Sequence, residues 1–241
     1  MPGTPGKVGV VFVSHSALIA DGLVELARQM AEGASLVAAG GTDDGGIGTS
    51  FEKVSAAITE ADSGSGVVVL CDLGSAILTA ETALDFLDDD VRARVRIASA
   101  PLVEGGVAAA VAAETGADLA GVLAAAESAN VEREAEGDLA PGAPAGPLAD
   151  EPSGASGNPS RTVTIINKDG LHARPAAEFV KLANTFPVKV TVNGKDAKSL
   201  LGIMSMGLTK GSTVEVASEN PEAQEAVDAL ADLIETGFGE A

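Results

Sequence analysis

Residues 7–16 read KVGVVFVSHS, a nearly continuous apolar run that ends in Ser14, His15 and Ser16. Residues 66–75 read GVVVLCDLGS and repeat the plan, with Asp72, Leu73, Gly74 and Ser75 after the apolar run. Short runs that are apolar on both faces are strands covered on both sides, the habit of parallel sheets. Working outward, shorter strands are predicted at residues 35–39 and 95–98. Helical spacing recurs between them. Ile19, Leu23, Leu26 and Met30 share one face of a first helix, and further helices are predicted at residues 50–61, 76–87, 103–115 and 118–129. The alternation predicts an α/β fold, a doubly wound parallel sheet of about four strands.

In such sheets ligands bind beyond the carboxyl ends of the strands. Three polar groups fall there: Ser14-His15-Ser16, the glycine-rich loop from Gly40 and Gly41 to Gly46, and Asp72-Leu73-Gly74-Ser75. Each has an ordinary structural reading. His15 can be a satisfied structural histidine, the loop a turn, and Asp72 a helix cap. The loop also lacks the P-loop lysine and the dinucleotide spacing. Together they gain meaning, because a carboxylate beside an imidazole fixes its tautomer and raises its basicity, which suits a nucleophile.

The chain has 241 residues and a formal net charge of −20. Nucleic acid and anionic membrane surfaces need basic patches, so neither is an expected partner. Cys71 stands alone, which excludes an internal disulfide and a multi-thiolate metal site. No apolar run approaches the roughly 20 residues that span a bilayer, and the first residues lack a signal-peptide pattern, so a soluble cytoplasmic protein is expected. His15 and His172 are the two histidines, so imidazole chemistry has two addresses.

Composition shifts after the first half. Five of the 11 prolines, Pro141, Pro144, Pro147, Pro152 and Pro159, fall among Gly, Ala and Ser. Such a stretch cannot bury enough surface to offset its ordering entropy. The expected organisation is a first domain at residues 1–131, an acidic Pro/Gly/Ala-rich linker at 132–159 and a second domain at 160–241. Residues 1–130 carry 6 basic and 18 acidic side chains, and residues 160–241 carry 8 and 11, so the acidity lies mainly in the first domain and the linker.

The second domain begins with a predicted strand at residues 161–167, a turn, and a helix after His172 with Ala176, Phe179, Val180 and Ala183 on one face. Strands at 188–192, 195–197 and 213–217, a short helix at 200–206 and a last helix through Ala226, Leu230 and Ile234 give the order βαββαβα. That order makes a small α+β open-faced sandwich. Within it, residues 170–176 read GLHARPA. His172 opens a helix, whose first amides and dipole favour an anion. Ala173 and Pro175 fill the first turn, where the proline's missing N–H costs nothing. Arg174 adds a cation at the same point. An imidazole so placed can take a phosphoryl group held by amides and a guanidinium, although His172 as a plain cap and Arg174 as a solvated charge would also fit.

These residues resemble HPr, the histidine phosphocarrier of the phosphoenolpyruvate-dependent phosphotransferase system, over the whole of residues 160–241. The resemblance places His172 on the phosphorylated histidine and Arg174 on the phosphate-binding arginine. It places Ser199, in residues 198–206 (KSLLGIMSM), on a regulatory phosphorylation site, where a serine capping the short helix is an equally good reading. The first domain resembles a mannose-type EIIA domain, and within that group the phosphotransfer subunit of dihydroxyacetone kinases. The matching text is VSHS at 13–16, GLVELARQM at 22–30, Gly48-Thr49, DLGSA at 72–76, ETAL at 81–84 and APLVEG at 100–105.

The resemblance implies a relay. Phosphoenolpyruvate charges enzyme I, which charges His172, then His15. His15, supported by Asp72, Ser14, Ser16, Gly40, Gly41, Gly74 and Ser75, recharges ADP held with Mg²⁺ in a nucleotide-binding kinase subunit. A substrate-binding subunit then presents dihydroxyacetone (glycerone). No metal and no tightly bound cofactor is expected on this chain. A homodimer through the EIIA-like domain is expected. Some relatives append an enzyme-I-like segment, and the chain stops at Ala241, so enzyme I is expected as a separate protein. The alternatives are the IIA component of a mannose-class sugar transporter and a regulatory phosphoprotein.

Overall fold

A computed structural model of the chain describes residues 6–137 and 158–239, the backbone alone from 131 to 137. Most of the expected linker therefore lies outside the described residues. The chain divides into two compact units, Met1–Asn130 and Val131–Ala241.

The first unit runs β1 (Gly9–Ser14), α1 (Ala17–Arg28), β2 (Leu36–Gly40), α2 (Phe51–Ala61), β3 (Val67–Cys71), α3 (Gly74–Asp85), α4 (Asp89–Arg92), β4 (Val95–Ile97), α5 (Leu102–Glu114) and α6 (Leu119–Gly137). The four strands are parallel, in the order β2-β1-β3-β4. Every residue of β1 and β3 is buried, as continuous apolar runs require. Their side chains alternate between two cores. Val10, Phe12, Val68 and Leu70 meet α1, α5 and α6 on one face. Val11, Val13, Val67 and Val69 meet α2 and α3 on the other. The doubly wound α/β expectation is met.

Three details differ from the sequence reading. The buried stripe of α1 is Ala20, Leu23, Val24 and Ala27, whereas Ile19 and Leu26 are exposed. Both stripes fit the helical period, and the face with the small residues Ala20 and Ala27 is the one that lets the helix lie close on the sheet. The short helix α4 carries three charged residues and no buried face, so no hydrophobic period announces it. Helix α6 continues past residue 129 to Gly137, into residues assigned to the linker from their composition.

The second unit runs β5 (Ser160–Thr164), α7 (Ala173–Asn184), β6 (Thr191–Val192), β7 (Lys195–Asp196), α8 (Leu200–Met204), β8 (Thr213–Ala217) and α9 (Gln224–Glu235). This is the expected βαββαβα order. Its sheet, β5-β8-β6-β7, is antiparallel throughout. Burial alternates along β8, with Val214 and Val216 inside and Thr213 and Glu215 outside, so one face is covered and the other open. The strand expected at 188–192 shrinks to Thr191–Val192. It turns into β7 through Asn193 and Gly194, both at positive φ (47° and 81°), as a two-residue hairpin requires.

Candidate functional site

Strand β1 lies between β2 and β3. The chain leaves β1 to one side and returns on the other, which opens a crevice at the carboxyl ends of the strands. Val13 is paired with Cys71, so the residues after them emerge side by side. That register brings His15 and Asp72 together across 57 positions of sequence.

The Asp72 carboxylate is fully used. Oδ1 accepts from His15 Nδ1 at 2.9 Å and from the Leu73 amide at 2.7 Å. Oδ2 accepts from the His15 amide at 2.8 Å and from Ser14 Oγ at 2.9 Å. Burial pushes the Asp72 carboxyl up, but these hydrogen bonds outweigh it and hold the group below the ordinary carboxylate range. A carboxylate facing Nδ1 demands the proton there, so the lone pair sits on Nε2. Nε2 points out of the crevice and meets Ser75 Oγ, in the first turn of α3, at 2.7 Å. Asp72 does not cap α3, whose cap is Leu73.

The remaining expected neighbours hold the backbone. Ser16 is the cap of α1, and its amide donates to Ser14 Oγ at 3.1 Å. Gly40 is required sterically, because a Cβ there would lie 2.6 Å from Ser16 O and 2.7 Å from Ala17 Cα. Gly41 adopts a φ of +71° and donates to Ser14 O. At Gly74 a Cβ would meet nothing, so the approach past the start of α3 is open. The glycine loop is no phosphate cradle. The amides of Gly41, Thr42, Gly45 and Gly48 all donate to backbone carbonyls. The Gly48 amide donates to His15 O at 2.9 Å, a support the sequence reading missed. Large apolar side chains close in sequence to the site are exposed: Leu18, two residues after Ser16, Ile47, next to Gly48, and Leu73, next to Asp72, are 84%, 79% and 60% exposed. Such side chains suit a protein partner.

Cys71, directly before Asp72, is buried. Burial, then the charges of Asp72 and Glu81, push its thiol up to about 12, so it is no nucleophile.

In the second unit, His172 is the exposed cap residue of α7 and its side chain does not cap the helix. Ala173, Arg174 and Pro175 form the first turn, with Pro175 buried. Arg174 stands in solvent with Nε 4.0 Å from Glu178 Oε1, a loose pair one turn along. The loop leading to His172 is tightly made. Asn167 is buried, its side-chain NH₂ donates to Gly170 O, and its backbone carbonyl accepts from the Gly170 amide. Gly170 has a φ of +70°, and the Leu171 amide donates to Leu208 O at 2.8 Å. Leu208 was not singled out from sequence, since nothing local marks a contact made across 37 positions of chain, and Asn167, read there as the end of a strand, holds its turn through Gly170 three positions on. Ser199 caps α8, its Oγ accepting from the Gly202 amide at 3.1 Å, as the structural reading of that serine requires. Among the described residues, no three His, Cys, Asp or Glu side chains gather to hold a metal ion, and no helix is long and apolar enough to cross a membrane.

Comparison with known proteins agrees with this division. Residues 9–123 match the EIIA-man family, described as the fructose IIA component of the phosphotransferase system. Residues 159–236 match the family of the HPr component phosphorylation site. The phosphoryl donor subunit DhaM of the PEP-dependent dihydroxyacetone kinase of Escherichia coli is 38% identical over 97% of this chain and 51% of its own length. The corresponding subunit of kinase 2 of Listeria innocua is 40% identical over 43% of this chain and 84% of its own length. Phosphocarrier protein HPr of Cupriavidus necator is 49% identical over 33% of this chain and 94% of its own. The chain thus spans about half the length of the longest of these relatives. With the Listeria innocua subunit covered over 84% of its length at 40% identity and the Escherichia coli subunit matched over 97% of this chain, the chain belongs to the family of DhaM phosphoryl donor subunits.

Proposed function

We propose that this chain carries a phosphoryl group between two histidines on its way to dihydroxyacetone. Enzyme I, charged by phosphoenolpyruvate, phosphorylates His172. The lone pair of His15 Nε2 then attacks the phosphorus as the P–N bond to His172 breaks, and the His172 ring recovers the electron pair. His15 next yields the group to ADP, bound with Mg²⁺ in a nucleotide-binding kinase subunit, and the resulting ATP serves the substrate-binding subunit. Phosphoryl transfer of this kind asks for alignment and charge stabilisation more than for acid–base work. The first turns of α3 and α7 supply positive helix ends beside the two rings.

The observation that carries the reading is the His15–Asp72 arrangement. A carboxylate held below its usual range fixes the proton on Nδ1 and leaves Nε2 nucleophilic. Arg174 swings from Glu178 to the phosphoryl oxygens at His172, and Ser75 gives its hydroxyl to them at His15. Catalysis by the assembled kinase, a cytoplasmic location and pairing of two chains through the EIIA-man unit belong to the same reading.

The test is to phosphorylate the chain with phosphoenolpyruvate and enzyme I, then map the label in wild type and in His172→Ala. Label is expected on both histidines of the wild type and on neither in the variant until HPr is added. Label reaching His15 in the variant without HPr overturns the order of the stations.

A further inference from the structure

The backbone on both sides of the His15 ring is held from the loop after β2. The Gly41 amide donates to Ser14 O at 3.1 Å, and the Gly48 amide to His15 O at 2.9 Å. That loop is held in turn by the first turn of α2. Lys53 Nζ donates to Gly40 O at 3.1 Å and to Thr42 O at 2.8 Å. Ser50 Oγ, which caps α2 by accepting from the Lys53 amide, also donates to Asp43.

By local rules Lys53 is misplaced. It is the third residue of α2, at the positive end of the helix, where an acid is favoured and a cation disfavoured. With Ser50 as the cap, a Glu or Gln at position 53 would complete a capping box. A chain with 35 acidic and 15 basic residues nevertheless has a lysine there. Natural sequences break such rules mainly where function compensates.

We propose that Lys53 is a positioning residue for His15. Its ammonium ties the Gly40 and Thr42 carbonyls together, which holds Gly41 and Gly48 in place to clamp the backbone flanking the imidazole. It touches no phosphoryl group. The inference deepens the relay reading, on which its effect on rate rests, while its effect on the loop does not depend on it.

The test compares Lys53→Gln with Lys53→Arg. Glutamine supplies the capping box, so the thermal midpoint is expected to stay near wild type. Hydrogen exchange at the Gly41 and Gly48 amides is expected to quicken about tenfold. With phosphorylated HPr as donor, the saturating rate of transfer into His15 is expected to fall about 10- to 100-fold with KM little changed, the scale of a misaligned reacting group. Arginine, which keeps charged donors, is expected to restore both. Wild-type exchange in Lys53→Gln overturns the proposal, as does a Lys53→Arg protein no faster than it. A Lys53→Gln protein that melts far below wild type also overturns it, because the lysine then supports the fold and not the site. Failure of the wild-type chain to take label at His15 counts against the relay alone, and amide exchange still decides the role of Lys53.

Discussion

Replacing Asp72 by Asn removes one acceptor atom while keeping the side chain's shape. In the wild type each carboxylate oxygen accepts twice, Oδ1 from His15 Nδ1 and the Leu73 amide, Oδ2 from the His15 amide and Ser14 Oγ. If the new NH₂ takes the place of Oδ2, it faces the His15 amide, donor against donor. If it takes the place of Oδ1, it faces the Leu73 amide and donates to Nδ1, which moves the imidazole proton to Nε2. Each orientation strands one backbone amide and loses charge assistance, a cost of about 2–4 kcal/mol in stability. The second also removes the nucleophilic lone pair. A comparable tautomer reversal in a serine protease triad lowers turnover about 10⁴-fold, so transfer into His15 is expected to fall about 10²- to 10⁴-fold. Rapid-quench transfer of a radiolabelled phosphoryl group gives the rate, and proton–nitrogen NMR of the ring gives the tautomer. A pH series adds a sign. The Asp72 carboxyl is held below its ordinary value, so its contribution is complete above the unfolded value near pH ~4 and fades as pH falls through the folded one. The stability gap between wild type and variant should therefore narrow in acid. An Asn variant that keeps the proton on Nδ1 and transfers at the wild-type rate would refute the reasoning.

Three further outcomes are expected. A mixture of His15→Ala and His172→Ala chains should transfer slowly at low protein concentration, since two domains carried on one chain meet at about millimolar effective concentration; a mixture as fast as wild type shows that the fusion gives no advantage. Gly170→Ala should lower the stability of the HPr unit by about 2–4 kcal/mol, because Gly170 has a φ of +70° and its Cβ would lie 2.1 Å from Leu208 O. Calorimetry should show the loss in that unit's transition, with the EIIA-man unit unmoved. Cys71, its thiol raised to about 12, should resist alkylation near pH 8 in the native chain and react on unfolding; rapid native labelling would contradict its burial.

How much of the molecule was legible in its sequence depends on how local the cause is. Buried parallel strands announce themselves because every residue of β1 and β3 is buried and all but Ser14 are apolar. The GLHARPA stretch carries its own logic, since a helix start, a proline and an arginine act within one turn. Helix α4 stayed hidden because it buries nothing. The stripe of α1 differs from its sequence reading because Ile19 and Leu26 are exposed, against the rule that large apolar residues face inward.

Period, composition and short motifs are properties of neighbouring residues, so two fold classes and two histidines at strand or helix ends are legible from them alone. Which nitrogen of His15 faces out, that Asp72 binds the ring in place of capping α3, and that Lys53 holds the glycine loop were decided only by tertiary structure. Those facts depend on the register of β1 against β3 and on a helix start reaching a loop across 11 to 13 positions of chain. Hydrogen bonds between groups so separated exist only once the sheet has fixed both ends in space.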